Sequence, residues 1–252
     1  MIPIDLSGKL ALITGATGEL GRVMVRTLAR SGADVVVHYH TNHEQAESLV
    51  AEIEALGRRA LAAQADITEK ESIDDLRELV EDTLGSPDIL VTNAVAQYNW
   101  RAVLDQSPAD YESQFRSSVM QNVLIAQAFM PAMIEKGWGR VIGINTECSM
   151  QYGKTQSAYI SGKRGMDGVL RVLAREVGEH GITVNQVAPG WTISENRPES
   201  DSTKFYRKQV PLRRRGTAQE IANVVAFLAS DLASFISGAY IPVCGGNVMP
   251  GI

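Results

Sequence analysis

Short, wholly apolar runs alternate with longer stretches of helical period from one end of the chain to the other. Leu10-Ala11-Leu12-Ile13 is such a run, stopped by Gly15, and Leu20 to Arg30 then carries apolar residues at helical spacing. Val35-Val36-Val37 is brief and β-branched, as suits a buried strand. From Glu44 to Leu56, the residues Ala46, Leu49, Val50 and Ile53 share one helical face, and Gly57 stops the helix. Strand-length runs follow at Ala60–Ala65, Ile89–Val91, Val141–Ile144, Ile182–Val187 and Ala239–Val243. Helical patterns separate them at Glu69–Thr83, Ala109–Glu135, Ser157–Glu179 and Ala218–Ala229. Strands that are apolar throughout, each followed by a helix, predict an α/β fold: a doubly wound parallel sheet of Rossmann type with helices on both faces. No linker, repeat or change of composition divides the chain, so residues 1–252 read as a single domain. Gly190–Val210 is polar and aperiodic. Long irregular segments of compact domains are usually either functional lids or disordered, and its place after a strand end favours a substrate loop at about 190–210.

Composition narrows the class further. The 252 residues carry 24 basic and 29 acidic side chains, a net charge of −5, with 44% apolar and 21% charged residues. These values exclude a disordered or fibrous chain. Mild acidity without a lysine-rich arm argues against nucleic acid or an anionic membrane as a partner. No apolar run approaches the ~18 residues of a membrane span. The start, Met1-Ile2-Pro3-Ile4-Asp5, has neither a basic nor an apolar leader. Cys148 and Cys244 are too few for a disulfide framework, so a reduced, cytoplasmic setting is expected.

Chemistry first shows in the turn after the opening strand. Thr14-Gly15-Ala16-Thr17-Gly18-Glu19-Leu20-Gly21 leads from that strand into the first helix. A doubly wound fold binds a dinucleotide pyrophosphate there, on free N–H groups and the positive end of the helix dipole. The spacing is G-x-x-G-x-x-G, and taken alone it also fits a turn that merely joins strand to helix. A site for a free ribose 2′-hydroxyl calls for an acid at the end of the second strand. His38-Tyr39-His40 stands there instead, which favours a 2′-phosphate and hence NADP(H) over NAD(H). His38, His40 and His43 do not have the spacing of a metal shell and read as surface or cofactor-facing side chains, so no metal is expected.

Tyr159 and Lys163 lie four apart on a predicted helix and share a face. An ammonium beside a phenol favours phenolate and is expected to lower its pKa. Such a tyrosine can exchange a proton with an alcohol or carbonyl oxygen. The turn, Asp66-Ile67-Thr68, Thr92-Asn93-Ala94, Gly139-Arg140-Val141-Ile142, the Tyr159-Ile160-Ser161-Gly162-Lys163 stretch and Asn185-Gln186-Val187-Ala188-Pro189-Gly190 occur in order from Gly8 to about Gly246. Together they resemble the short-chain dehydrogenase/reductase family, in particular compact single-domain members such as 3-oxoacyl-acyl-carrier-protein reductases.

The resemblance implies a hydride transfer between a nicotinamide cofactor and a ketone or secondary alcohol. It makes Tyr159 the catalytic acid–base and Lys163 the residue that tunes it and holds the nicotinamide ribose. Thr146 stands where the family has a serine, thirteen residues before the tyrosine, and Ser118 where it has an asparagine supporting a water chain. The implied cofactor contacts are Gly15, Thr17, Gly18, Glu19, Leu20, Gly21, Tyr39, Asp66, Ile67, Asn93, Ala94, Pro189, Gly190 and Thr192, besides Tyr159 and Lys163. Glu19 replaces a family glycine; its carboxylate would repel a pyrophosphate unless it points away or pairs with Arg22. Val95 and Cys244 are further departures. Gln97, Tyr98, Trp100, Tyr152, Gln156 and Trp191 are expected to rim the site, with Glu147 and Cys148 nearby. Arg213-Arg214-Arg215 reads as a solvated patch, or as a surface greeting an acidic carrier or a phosphorylated substrate. The resemblance further implies a homo-oligomer, a tetramer or dimer, packed through the two long helices predicted at Ala109–Glu135 and Ser157–Glu179. A non-catalytic dinucleotide-binding sensor or scaffold of the same fold, and an enzyme of that fold carrying out dehydration or epimerisation, are the competing readings.

Overall fold

The computed structural model describes residues 3–196, 200 and 203–249. Its strands are β1 (Leu10–Ile13), β2 (Asp34–Tyr39), β3 (Ala60–Gln64), β4 (Ile89–Thr92), β5 (Gly139–Ile144), β6 (Ile182–Pro189) and β7 (Tyr240–Val243). They form one parallel sheet in the order β3-β2-β1-β4-β5-β6-β7. The helices are α1 (Glu19–Arg30), α2 (His43–Ala55), α3 (Lys70–Thr83), α4 (Pro108–Phe115), α5 (Gln121–Lys136), α6 (Cys148–Gln151), α7 (Ser157–Glu176), α8 (Lys204–Gln209) and α9 (Ala218–Ala229).

Apolar runs become strands here because both faces of the sheet are covered. Alternation along β1 sends Ala11 and Ile13 to one face and Leu10 and Leu12 to the other. The first face is closed by α1, α2 and α9 through Leu28, Ile53 and Ile221. The second is closed by α3, α5 and α7 through Leu76, Phe129 and Leu170. A capping box between Thr217 and Glu220 fixes the start of α9. Pro242 is tolerated in β7 because this is an edge strand. β1 lies between β2 and β4, so the winding reverses there and a crevice opens at the carboxyl ends of the strands.

Two stretches differ from the periodic reading. The expected continuous helix over Ala109–Glu135 is broken by a π-helical turn at Arg116–Met120. Side chains there bond backbone carbonyls one turn back: Ser117 Oγ to Ser113 O at 2.8 Å, Gln121 Nε2 to Ser117 O at 2.5 Å and Asn122 Nδ2 to Ser118 O at 2.6 Å. Such bonds compete with the regular ladder. The supposedly irregular stretch 190–210 contains α8, seated by the buried ring of Tyr206. Residues 197–199, 201 and 202 of that stretch lie outside the described residues. Arg215, expected at a solvated surface, is buried: it donates to the carbonyls of Trp191 and Thr192 and lies over the Trp191 ring. Arg214 pairs with Glu220. Among the described residues no helix is long and apolar enough to cross a membrane. Cys148 and Cys244 are both free thiols.

Candidate active site

The turn from β1 to α1 is held from below. Thr14 Oγ1 accepts the backbone N–H groups of Asn93 and Ala94 and donates to Gln121 Oε1, while Asn93 Nδ2 donates to the carbonyls of Thr14 and Gly15 at 3.0 Å. Gly15 has φ +62 and would set a Cβ 3.0 Å from Ala94 Cα. Both its conformation and its close seat therefore call for glycine. Gly18 precedes α1 with no side chain to cap it. The first-turn N–H groups thus face the crevice bare, the arrangement that receives an anion.

His38 completes the turn. Its side chain is 1% exposed; Nδ1 accepts the Gly15 N–H at 3.0 Å and Nε2 lies 3.1 Å from Ala65 O. Both contacts are made at once only by the neutral ring protonated on Nε2. Burial pushes its pKa down from 6.5 to about 4, against the pull of the Ala65 carbonyl. The unfolded chain therefore takes up a proton that the folded chain refuses, and stability falls as pH drops from 6.5 towards 4. The expected loss is about 3 kcal/mol. Denaturant titrations at neutral and mildly acid pH, run beside a His38→Asn variant, should show the steeper loss in the wild type.

Glu19 turns across the mouth of the crevice. Its carboxylate accepts Asn196 N at 3.3 Å and Asn196 Nδ2 at 2.8 Å, and lies 3.3 Å from Arg22. Partial burial opposes its charge. Hydrogen bonds from Ser194 and Asn196 and the Arg22 guanidinium outweigh that and bring it to about 2. Arg22 and Arg26 in turn bind Glu195, at 3.0 and 2.6 Å. The carboxylate is thus both paired with Arg22 and tied to the segment after β6.

A cavity of about 740 Å³ runs from this turn to the ends of β4, β5 and β6. Gly15, Thr17, Gly18, Glu19, Leu20, Asp66, Ile67, Asn93, Ala94, Thr146, Tyr159, Lys163, Pro189, Gly190 and Thr192 all line it. Val95, Gln97 and Trp191 do so too. Three expected residues stand elsewhere. Strand alternation turns Tyr39 to the opposite face, where its hydroxyl meets His43 Nδ1 at 2.7 Å, while His38 and His40 face the cavity. Gly21 lies behind the wall, packed against Gly15 and Ala16. Ser118 is fully buried off the wall, with no hydrogen-bond partner for its hydroxyl among the described residues; Ser113 and Ser117 line the cavity instead. Sequence reading also left out Asn145, whose only signal was its place beside Thr146.

At the far end of the cavity, α7 carries Tyr159 and Lys163 past the end of β5. Gly162 lets the helix pack closely, since a Cβ there would lie 2.6 Å from Gln114 O. Lys163 Nζ is buried and donates to Ile144 O at 2.6 Å. Burial lowers its pKa from 10.5 to about 8. The expected lowering of the Tyr159 pKa is not what this geometry gives. Burial raises the phenol, the Thr146 hydroxyl pulls it down only in part, and Lys163 Nζ is 5.9 Å from the ring centroid.

Thr146 is held on every side. Its N–H meets Asn145 Oδ1 at 2.9 Å, its carbonyl accepts Tyr240 Oη at 2.5 Å and its Oγ1 accepts Cys148 N at 3.2 Å. That leaves the Oγ1 proton to donate onward. Tyr98 stacks on Tyr159 with centroids 6.0 Å apart, and the Trp100 ring lies tilted against it at 6.2 Å. Tyr152, expected at the rim, is exposed and bonds Arg164.

A family model described as enoyl-(acyl carrier protein) reductase matches residues 15–247. The chain is 34% identical over 250 residues to the 3-oxoacyl-[acyl-carrier-protein] reductase FabG of Pseudomonas aeruginosa, covering 98% of this chain and all of that one. It is 31% identical over 246 residues to an L-rhamnose 1-dehydrogenase (NAD(P)(+)) of Sphingomonas, covering 96% of each. A gluconate 5-dehydrogenase from Burkholderia cenocepacia, solved with NADP and tartrate, superposes with a TM-score of 0.90 at 29% identity, covering 97% of this chain and 96% of that one. With a glycine-rich turn, a Tyr159–Lys163 pair and relatives of full length, the chain belongs to the short-chain dehydrogenase/reductase family of nicotinamide-dependent oxidoreductases, which act on alcohol and carbonyl groups.

Proposed function

We propose that the protein interconverts a small polar ketone and a secondary alcohol using NADP(H) in preference to NAD(H). The observation that carries this reading is one cavity with a bare helix N-terminus at one end and Thr146, Tyr159 and Lys163 at the other. The residues present fit a dinucleotide. Gly15 and Gly18 open a cradle that a side chain would crowd, and the first turn of α1 offers its N–H groups to the pyrophosphate. When bound, the nicotinamide supplies or accepts the hydride.

Thr146 Oγ1 and Tyr159 Oη both donate to the substrate oxygen, and Tyr159 gives up its proton as the carbonyl becomes an alcohol. A raised phenol pKa keeps that proton in place at neutral pH. Lys163, mostly charged below pH 8, holds the ribose hydroxyls. No relay step is assigned to the Ser118 hydroxyl, which lies off the cavity wall. The preference for NADP(H) is supported by His38 and His40, rather than an acid, on the cavity face at the end of β2. The relatives named for 3-oxoacyl, rhamnose and gluconate substrates direct the search to β-keto thioesters and to sugars or aldonates. A homo-oligomer packed through α5 and α7, in the cytoplasm, completes the reading.

Product analysis tests it. Acetoacetyl thioester with NADPH, or L-rhamnose or D-gluconate with NADP⁺, should give a product changed by one hydride and one proton. A product at the same oxidation level, formed by dehydration or epimerisation, would overturn it.

A further inference from the structure

Glu147, directly after Thr146, is 3% exposed, yet it is a carboxylate. Burying such a group is costly unless its oxygens are hydrogen-bonded. Here each oxygen has its own donor, from a different part of the chain. Tyr206 Oη, on α8, donates to Oε1 at 2.8 Å; Asn247 Nδ2, past the end of β7, donates to Oε2 at 3.0 Å. Tyr206 Oη also accepts the backbone N–H of Trp191 at 2.9 Å. Gly190 makes room for this, since a Cβ there would lie 2.5 Å from Tyr206 Oη. The Glu147 N–H closes the loop onto Pro189 O at 2.9 Å. The Trp191 ring then packs on Phe205 and Tyr206, at 6.0 and 5.6 Å, and faces the cavity.

We propose that Glu147 is a positioning residue that ties α8 and the C-terminal segment to the Thr146 strand end and so sets the Trp191 wall at the Thr146–Tyr159 end of the cavity. This rests on the oxidoreductase reading only for its purpose, not for its geometry. A carboxylate suits the task because one group receives donors from two directions at once. Both donors are neutral, so the node costs no ion pair. Burial pushes the Glu147 pKa up, partly offset by Tyr206 and Asn247.

The test is residue-resolved hydrogen exchange on the full chain. In Glu147→Ala the amide of Trp191 and those of residues 204–210 should exchange about tenfold faster or more, as expected when a buried hydrogen bond is lost. Glu147→Gln, which keeps an acceptor oxygen, should restore most of the protection. Tyr206→Phe keeps the ring packing but loses the hydroxyl that meets both Glu147 and the Trp191 amide, so it should loosen Trp191 and residues 204–210 together, and the proposal stays testable if Glu147→Ala does not fold. Wild-type exchange in Glu147→Ala and Tyr206→Phe would overturn the proposal. So would a Gln variant no better than Ala, or faster exchange spread evenly over the sheet. NADPH titration of the same proteins separates the two readings. A wild type that does not bind NADPH refutes the cofactor reading while the exchange data still judge this one.

Discussion

Tyr159→Phe should lower turnover by about 10²–10⁴-fold, the usual contribution of a positioned general acid–base. The substitution removes one oxygen and keeps the ring. The ring contacts with Tyr98 and Trp100 therefore survive, as does the packing of α7. NADPH affinity should stay within a few-fold, because the pyrophosphate cradle lies at the other end of the cavity. Steady-state rates and a fluorescence titration on the same preparation check both halves. If turnover is unchanged, another group moves the proton, and the chemical part of the account fails. A non-catalytic sensor would likewise keep its binding function in this variant.

Gly21→Ala should cost most of the cofactor affinity, at least about tenfold, and about 1–3 kcal/mol of stability. A Cβ at Gly21 would stand 2.2 Å from Gly15 O and 2.8 Å from Ala16 Cα. Both contacts are with backbone, which cannot rotate aside. The start of α1 must move off the turn, carrying the N–H groups of Glu19 and Leu20 with it. Gly57→Ala provides the control: it has positive φ, +76, but open space around it. It should lose only the ~1 kcal/mol of an unfavourable backbone conformation and leave binding untouched. Thermal denaturation and NADPH titration distinguish the two variants. Equal losses of affinity in both would mean that the close turn is not what holds the cofactor.

Much of this was legible in the sequence because a parallel sheet covered on both faces leaves apolar runs that little else imitates. β1 was bounded to the residue by Gly15 and its apolar neighbours, and α9 matches the apolar helical period over Ala218–Ala229. Helical spacing paired Tyr159 with Lys163 and the family resemblance pointed to Thr146, and the fold brings all three to one wall. The misses share a cause: they depend on contacts distant in sequence. Tyr39 and His40 differ by one position on a strand, and one residue of register decides which faces the cavity. The π turn at Arg116–Met120 buries polar side chains, Ser117 and Ser118 among them, and apolar periodicity is silent about those. Glu147 finds Tyr206 and Asn247, 59 and 100 residues away, so its neighbours in sequence say nothing of its role. The phenol of Tyr159 was expected to be lowered by Lys163, but burial, which spacing does not reveal, dominates.

The central claim is that the crevice between the Gly15–Gly21 turn and the Tyr159–Lys163 pair holds a nicotinamide dinucleotide. Titrating the purified, folded protein with NADPH and with NADH, following nicotinamide fluorescence, tests it most directly. Micromolar binding, tighter for NADPH than for NADH, is the result the account predicts, with Glu19 accommodated by its bonds to Arg22 and Asn196. Binding of neither, by protein shown to be folded, would contradict it.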